Sequence, residues 1–145
     1  MQISPLAVKY HPVLQPIAGV RLGVSACVIR YTGRTDLLVA EFAEGTTVAG
    51  VLTKSLTASA SVLACRDALK RGLARVLVVN SGNSNAFTGK AGVASVERIS
   101  NAAAKLFKCD TQNIFTASTG VIGEKLADEK ITAALPNIEF SAASW

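Results

Sequence analysis

This 145-residue chain has a single histidine, His11, and three widely spaced cysteines. A catalytic cysteine needs a base that is held beside it, and His11 lies in a proline-flanked amino-terminal segment, so we expect His11 to be structural or exposed. One histidine and three dispersed cysteines also lack the spacing of metal ligands. The sequence therefore predicts no metal site, no disulfide framework, and buried apolar roles for Cys27, Cys65 and Cys109.

Long apolar runs are missing as well. The longest uninterrupted apolar runs, among them residues 76–79, are far too short to cross a bilayer. The amino terminus has no basic start followed by an apolar stretch, so no secretory signal is expected. Because 50% of the residues are hydrophobic, residues 1–145 should form a folded domain or part of one. We expect a cytoplasmic protein that does not contact membranes.

Aromatic residues are few, at 6%, and they are not interleaved with the basic residues that give the chain a formal net charge of +5. The basic residues cluster only around Arg66, Lys70, Arg71 and Arg75, and no nucleic-acid-binding motif is present. These features favour a solvated basic surface over a nucleic-acid interface. We expect no nucleic-acid partner.

The sequence pattern of the first third of the chain predicts β-strands. Residues 19–28, 36–42 and 47–53 are short runs with alternating character, and turn signals at 31–34 and 44–45 separate them. Such local connections predict antiparallel pairing within an antiparallel or mixed sheet.

The apolar period becomes helical from Ser61 onward. Helices are predicted from Ser61, at residues 93–108, and from Asp128, which could cap a helix that Pro136 ends. Buried strands at 75–79 and 113–117 lie between these helices. The resulting order, β-β-β-α-β-α-β-α, predicts an α/β or α+β fold in which a mixed sheet is layered with helices.

Two nucleotide-binding patterns can be set aside. Gly82 and Gly89 superficially resemble the glycines of a phosphate-binding loop, but six residues separate them instead of four, and Ala91 follows Lys90 where Ser or Thr is required. No G-x-G-x-x-G pattern follows a predicted strand. We therefore expect no bound cofactor.

Residues 80–85 contain three asparagines and a glycine. Both residue types tolerate left-handed backbone, and asparagine side chains bond to nearby backbone groups. The loop is either a rigid turn that braces its surroundings or a contact for substrate. Bracing is favoured, because local bonding of this kind is a sufficient explanation.

Thr119 and Gly120 are the catalytic candidates. At the end of a strand, Gly120 would let the backbone approach a ligand, so that its N–H and the Thr119 hydroxyl could point at one oxygen. Two fixed donors are what the tetrahedral oxyanion of an acyl transfer requires. Taken alone, however, these residues favour an ordinary Ser-Thr-Gly turn, since such turns are common.

Four segments resemble, in order, the signature segments of the ornithine acetyltransferase family. They are residues 32–37, 48–53, 80–89 and 117–123, and the likeness extends over about 19–145, the amino-terminal α-chain region of that family. Four ordered motifs make this resemblance far more specific than a single glycine pattern.

The resemblance implies an enzyme that moves an acetyl group from N-acetylornithine to glutamate in arginine biosynthesis; many members also accept acetyl-coenzyme A. In this family a precursor cuts itself into α and β chains. The new amino-terminal threonine of the β chain is the nucleophile and uses its own amine as the base, so no histidine or aspartate relay is needed. An acetyl-threonine intermediate follows in a ping-pong reaction.

The same resemblance implies that Thr119 and Gly120 form the oxyanion hole. It also implies an α2β2 heterotetramer with the β chain of the same precursor, in which an α-β-β-α sandwich like that of N-terminal-nucleophile proteins is completed. The chain ends before the expected cleavage site and nucleophile. Substrate-contacting residues are therefore expected downstream, and the chain alone should be inactive.

The chain departs from the family pattern at Phe87, where relatives usually carry cysteine, and at Ser84, where they carry alanine. Two alternatives stay open: a related self-cleaving amidase or aminopeptidase with an N-terminal nucleophile, and a non-catalytic assembly domain. A downstream threonine at the cleavage motif would support the acetyltransferase, a serine would support the amidase, and neither would support the assembly domain.

Overall fold

The computed structural model describes residues 5–8, 10 and 13–142, so the expectation for His11 lies outside the described residues. None of the helices formed by the described residues is long and apolar enough to span a membrane. The strands are β1 (Val20–Ser25), β2 (Leu37–Phe42), β3 (Val76–Asn83), β4 (Ile114–Val121) and β5 (Phe140–Ser141), and the helices are α1 (Ala60–Ala68), α2 (Gly89–Phe107) and α3 (Asp128–Ala134).

The strands form one mixed sheet in the order β4-β3-β2-β1-β5, which confirms the predicted fold class. The pairs β1–β2 and β2–β3 are antiparallel, whereas β3 and β4 are parallel and are connected through α2. The carboxyl ends of β3 and β4 therefore lie at the same edge of the sheet, beside the start of β2, where Leu37 pairs with Asn80.

The strand predicted at residues 47–53 is wrong. Only Thr47 pairs, through a single bridge to Leu73, and the chain then runs without regular structure to α1. Because β2 already has β1 and β3 as neighbours, it offers this segment no free edge. Val48 and Leu52 instead pack their side chains against the cluster around Phe115.

The helices α2 and α3 cover one face of the sheet. Strand residues such as Leu37 and Val76 meet Ile99 of α2 and Ile131 of α3 in a cluster that excludes water. The buried residues of this core are Ile29, Leu37, Val39, Val76, Val78, Ile99, Ala103, Ala104, Ile114, Leu126, Ile131, Leu135 and Ile138.

The three free cysteines have the apolar packing expected of them. Cys65 is buried, and Cys27 and Cys109 are half-buried against the core.

The opposite face of the sheet is only partly covered. Alternation along the paired strands places side chains on this face that stay half-buried or exposed, and Val24 is 56% exposed. We call this surface the open face; its members include Val20, Leu22, Val24, Leu38, Val79, Ala117 and Thr119. Over Leu77 and Phe115 it is covered by α1, through Cys65 and Ala68, and by the segment containing Val48 and Leu52.

Asp128 does not cap α3 as predicted. The helix begins at Asp128 itself, and the residue before it makes no capping bond with its side chain. The Asp128 carboxylate, only 3% exposed, instead accepts hydrogen bonds from Ser95 Oγ at 2.7 Å and Arg98 Nε at 2.7 Å. This buried network joins α3 to α2, and the Arg98 hydrogen bond holds the pKa of Asp128 below its usual value of 3.8.

We predict that Asp128→Asn lowers the free energy of unfolding at neutral pH by about 1–3 kcal/mol, because charge-assisted bonds to Ser95 and Arg98 are lost. Since the folded-state pKa of Asp128 is lowered, its contribution is present above the unfolded-state pKa and is lost as pH falls through the folded-state value. Urea unfolding should therefore show that the free energies of unfolding of wild type and variant become equal as the pH falls from about 5 to about 2. Asp67→Asn, which removes an exposed carboxylate, is the control; equal effects of both substitutions would contradict the prediction.

Candidate functional site

The two polar motifs singled out in the sequence meet at the carboxyl ends of β3 and β4. Asn80 pairs with Ser118, Ser81 with Thr119, and Gly82 with Gly120. The register shifts at Asn83, which pairs with both Thr119 and Val121. Parallel pairing thus places the asparagine-rich loop directly beside the candidate catalytic pair.

Thr119 and Gly120 are solvent exposed. Thr119 shares a face with Ser81, Leu77 and Phe115, because residues two apart along a strand lie on the same side. This is the open face of the sheet. A hydroxyl at Thr119 is therefore accessible from the side opposite α2 and α3.

Glycine is required at position 120 because β3 and β4 pack closely there. The sequence suggests a different reason, the approach of the backbone to a ligand. The φ of Gly120 is +132°, and a Cβ there would contact the Gly82 carbonyl carbon and lie 2.6 Å from Asn83 N. Any side chain would push β4 away from β3. The position excludes a Cβ because the neighbouring backbone is so close, and this contact fixes the orientation of the Gly120 peptide.

The asparagines brace the loop, as predicted. Asn80 Nδ2 donates to Asn83 O at 2.9 Å, and Asn83 Oδ1 accepts from Asn85 N at 2.7 Å. Asn83 Nδ2 donates to Glu124 O at 3.0 Å and so ties the loop to the segment that follows β4. These amide groups are occupied within the protein, which favours bracing over contact with substrate.

Asn85 fastens the loop to the start of α2. It is fully buried with a φ of +48°, and its Nδ2 donates to Gly92 O at 3.0 Å while its Oδ1 accepts from Thr88 Oγ1 at 2.9 Å. A Cβ on Gly92 would lie 2.7 Å from Asn85 Oδ1, so only glycine fits there. The two positions that depart from the family pattern differ in their surroundings. Ser84 Oγ donates a hydrogen bond to Val121 O of β4 at 2.8 Å. Phe87 is 69% exposed.

A buried chain of hydroxyl and amide groups supports the residue before Thr119. Ser118 Oγ donates to Asn80 Oδ1 at 2.7 Å, so the 3.0 Å contact between Ser61 Oγ and Ser118 Oγ has Ser61 as the donor. Sequence reasoning missed Ser61. Its signal was a polar residue in the first turn of α1, near the apolar positions Val62 and Cys65 that face inward.

An apolar cleft of about 340 Å³ lies beside this chain of groups, with Leu77, Phe115 and Ala117 among its lining residues. Cys65 also lines it and donates from Sγ to Thr116 O at 3.2 Å. Burial raises the pKa of the Cys65 thiol, which keeps it protonated and unsuited to act as a nucleophile. Residues 5–8, 10 and 13–142 hold no group of three His, Cys, Asp or Glu that could bind a metal ion.

Comparison with known protein sequences gives a consistent result. The sequence profile of the ArgJ family matches residues 21–144. The arginine biosynthesis bifunctional protein ArgJ of Gluconobacter oxydans is 54% identical over 136 residues, and that of Bradyrhizobium diazoefficiens is 51% identical over 140 residues. The matches cover 94% and 97% of this chain but 32% and 34% of those proteins. The chain therefore spans about a third of the length of these relatives.

Solved structures share the fold. The ornithine acetyltransferase of Mycobacterium tuberculosis, in complex with ornithine, is 28% identical and matches with a TM-score of 0.85 over 92% of this chain and 76% of its own. The arginine biosynthesis bifunctional protein ArgJ of Bacillus halodurans is 24% identical and matches in fold, with a TM-score of 0.83 over 91% of this chain and 73% of its own.

We predict that Asn83→Ala destabilises the protein by about 1–3 kcal/mol, since it leaves Glu124 O and Asn85 N without their partner. Urea unfolding measures the loss, and hydrogen exchange should show faster exchange of the Asn85 amide. Asn101→Ala, at an exposed position of α2, is the matched control and should have little effect. Unchanged exchange at Asn85 would show that the loop does not depend on Asn83.

Proposed function

Since this chain belongs to the ArgJ family, we propose that it forms the amino-terminal part of an enzyme that transfers an acetyl group from N-acetylornithine to glutamate in arginine biosynthesis. The observation that carries the proposal is the exposed Thr119–Gly120 pair at the sheet edge, in a chain with the ArgJ fold and sequence. Acetyl-coenzyme A is a further acetyl donor in this proposal, and the cytoplasm is the proposed location.

The proposed nucleophile is the amino-terminal threonine of a β chain, released when the precursor cuts itself. Its hydroxyl attacks the acetyl carbon of N-acetylornithine while its own amine takes the hydroxyl proton. The C–N bond then breaks, ornithine leaves with a proton from that amine, and an acetyl-threonine ester remains. The amine of glutamate attacks this ester, which forms N-acetylglutamate and returns the proton to the threonine oxygen.

The role of this chain is to stabilise the charge on the acetyl oxygen. In both tetrahedral intermediates that oxygen is negative, and the Thr119 hydroxyl and the Gly120 N–H are its proposed hydrogen-bond donors. Two features support this role. The Gly82 contact fixes the Gly120 peptide, and the bonds among Ser61, Ser118 and Asn80 hold the strand just before Thr119. Donors that are already fixed cost no reorganisation during the reaction.

The open face is the proposed docking surface for the β chain. Its side chains are mainly apolar and still half-exposed, so burial against a second sheet would be favourable. Thr119 lies on the same face, which would bring a nucleophile on the β chain to the proposed donors. We propose that this contact completes an α-β-β-α sandwich and that two such pairs form an α2β2 heterotetramer.

We predict that Thr119→Ala in the full-length enzyme lowers kcat about a hundredfold, equivalent to about 3 kcal/mol, because one oxyanion donor is lost. KM for N-acetylornithine should change little, since the oxyanion exists only transiently. Thr119→Ser keeps the hydroxyl and should keep most of the activity. Steady-state kinetics on enzyme that has been checked for complete self-cleavage provides the measurement.

Thr132→Ala, at a half-buried position of α3, is the control for loss of a threonine away from the site. A rise in KM with an unchanged kcat for Thr119→Ala would instead identify Thr119 as a plain binding residue. The serine variant should then offer no advantage in kcat over the alanine variant.

A further inference from the structure

The apolar cleft of about 340 Å³ reaches the strand end that carries the proposed oxyanion donors. Ser118, which lines the cleft, is the residue directly before Thr119. Ala117 also lines the cleft and lies on the same face of β4 as Thr119. Residues two apart along a strand are separated by about 7 Å. The cleft therefore begins one side-chain position from Thr119.

The cleft has walls on both sides of the strands. Residues 48–52 form one wall and α1 forms another, through side chains that include Val62 and Cys65. The wall at 48–52 belongs to one of the four segments that resemble the acetyltransferase family. Phe115, at the inner part of the cleft, is only 8% exposed, whereas Ala117 is exposed. The cleft thus runs from a buried inner part to an open mouth at Ala117.

The polar groups along the α1 side of the cleft are occupied within the protein. The Cys65 thiol donates to Thr116 O at 3.2 Å, and the Ser61 and Ser118 hydroxyls bond to each other at 3.0 Å. The side chains of Leu77 and Phe115 offer only apolar surface. This lining favours an apolar group, because a polar one would give up its bonds to water without replacing them.

The size of the cleft exceeds what an acetyl group needs. Pockets that hold whole small-molecule ligands have volumes of about 300–1,000 Å³, and this cleft lies at the lower end of that range. A single methyl group at its mouth would leave most of the space towards Phe115 empty. There is room for an acyl chain of several carbons.

We propose that this cleft binds the acyl group of the donor substrate and admits chains longer than acetyl, an inference that rests on the proposed function. With the carbonyl oxygen at Thr119 and Gly120, the alkyl chain passes Ala117 and extends towards Phe115. The steps are those of acetyl transfer: the threonine oxygen bonds to the acyl carbon, the C–N bond breaks, and ornithine leaves with the hydroxyl proton. Ala117 then sets the width of the mouth.

The test compares donors of different acyl length on the full-length, self-cleaved enzyme. We expect kcat/KM of wild type for N-butyrylornithine to lie within about tenfold of that for N-acetylornithine, since each buried methylene offsets part of the added bulk. Ala117→Leu narrows the mouth and should lower the butyryl-to-acetyl ratio of kcat/KM about tenfold or more. Leu52→Ala widens the cleft from the other wall and should raise that ratio about fourfold, the effect of one methylene.

The ratio within each variant separates acyl binding from folding or assembly, because a loss of folded enzyme lowers both activities by the same factor. Ala133→Leu makes the same change at an exposed alanine of α3 and should leave the ratio as in wild type. An unchanged ratio in Ala117→Leu, or a ratio that shifts in the same direction in Ala117→Leu and Leu52→Ala, would overturn the inference.

Wild type also distinguishes this inference from the proposed function. If it uses N-acetylornithine but rejects both N-propionylornithine and N-butyrylornithine, another part of the full-length protein fills the cleft, and only the inference fails. If it does not use N-acetylornithine, the proposed function itself is contradicted.

Discussion

The close approach of the β3 and β4 backbones at Gly82 and Gly120 is the constraint on which the rest of the site depends. No Cβ fits at Gly120, since it would lie 2.6 Å from Asn83 N. The register shifts next to this contact, at Asn83, and Thr119 lies on the open face one residue before Gly120. A glycine that looks catalytic in the sequence is thus first a packing residue. Its peptide would be a useful donor because the packing holds it still.

Around this contact the polar side chains form a continuous support. Asn80 joins Ser118 to the loop, Asn83 joins the loop to the segment after β4, and Asn85 joins it to α2. Buried networks of this kind stabilise only when every member is satisfied, so each residue constrains the next. Asp36 extends the support to the connection between β1 and β2. The proposed acetyl transfer would use this rigidity, because an oxyanion hole acts through donors that are already in position.

Much of this arrangement could be predicted from the sequence. Helical and strand periodicity located α1, α2, β3 and β4, and turn chemistry anticipated the bracing role of the asparagines. The strand predicted at 47–53 failed, because alternation cannot show that both edges of β2 are occupied. The role of Asp128 was missed since a carboxylate at a helix start favours a cap, whereas its partners Ser95 and Arg98 lie about thirty residues away. The sequence shows Ser61 as a polar residue in the first turn of α1, but its pairing with Ser118, 57 residues away, could not be predicted from local sequence.

In the proposed reaction Thr119 and Gly120 donate to the acetyl oxygen on a threonine supplied by another chain. The most direct measurement is a crystal structure of the full-length enzyme trapped as its acetyl-threonine intermediate. We expect the acetyl oxygen to lie about 2.7–3.1 Å from both Thr119 Oγ1 and Gly120 N. An acetyl oxygen that points to other donors, or an acetylated residue out of reach of the open face, would contradict it.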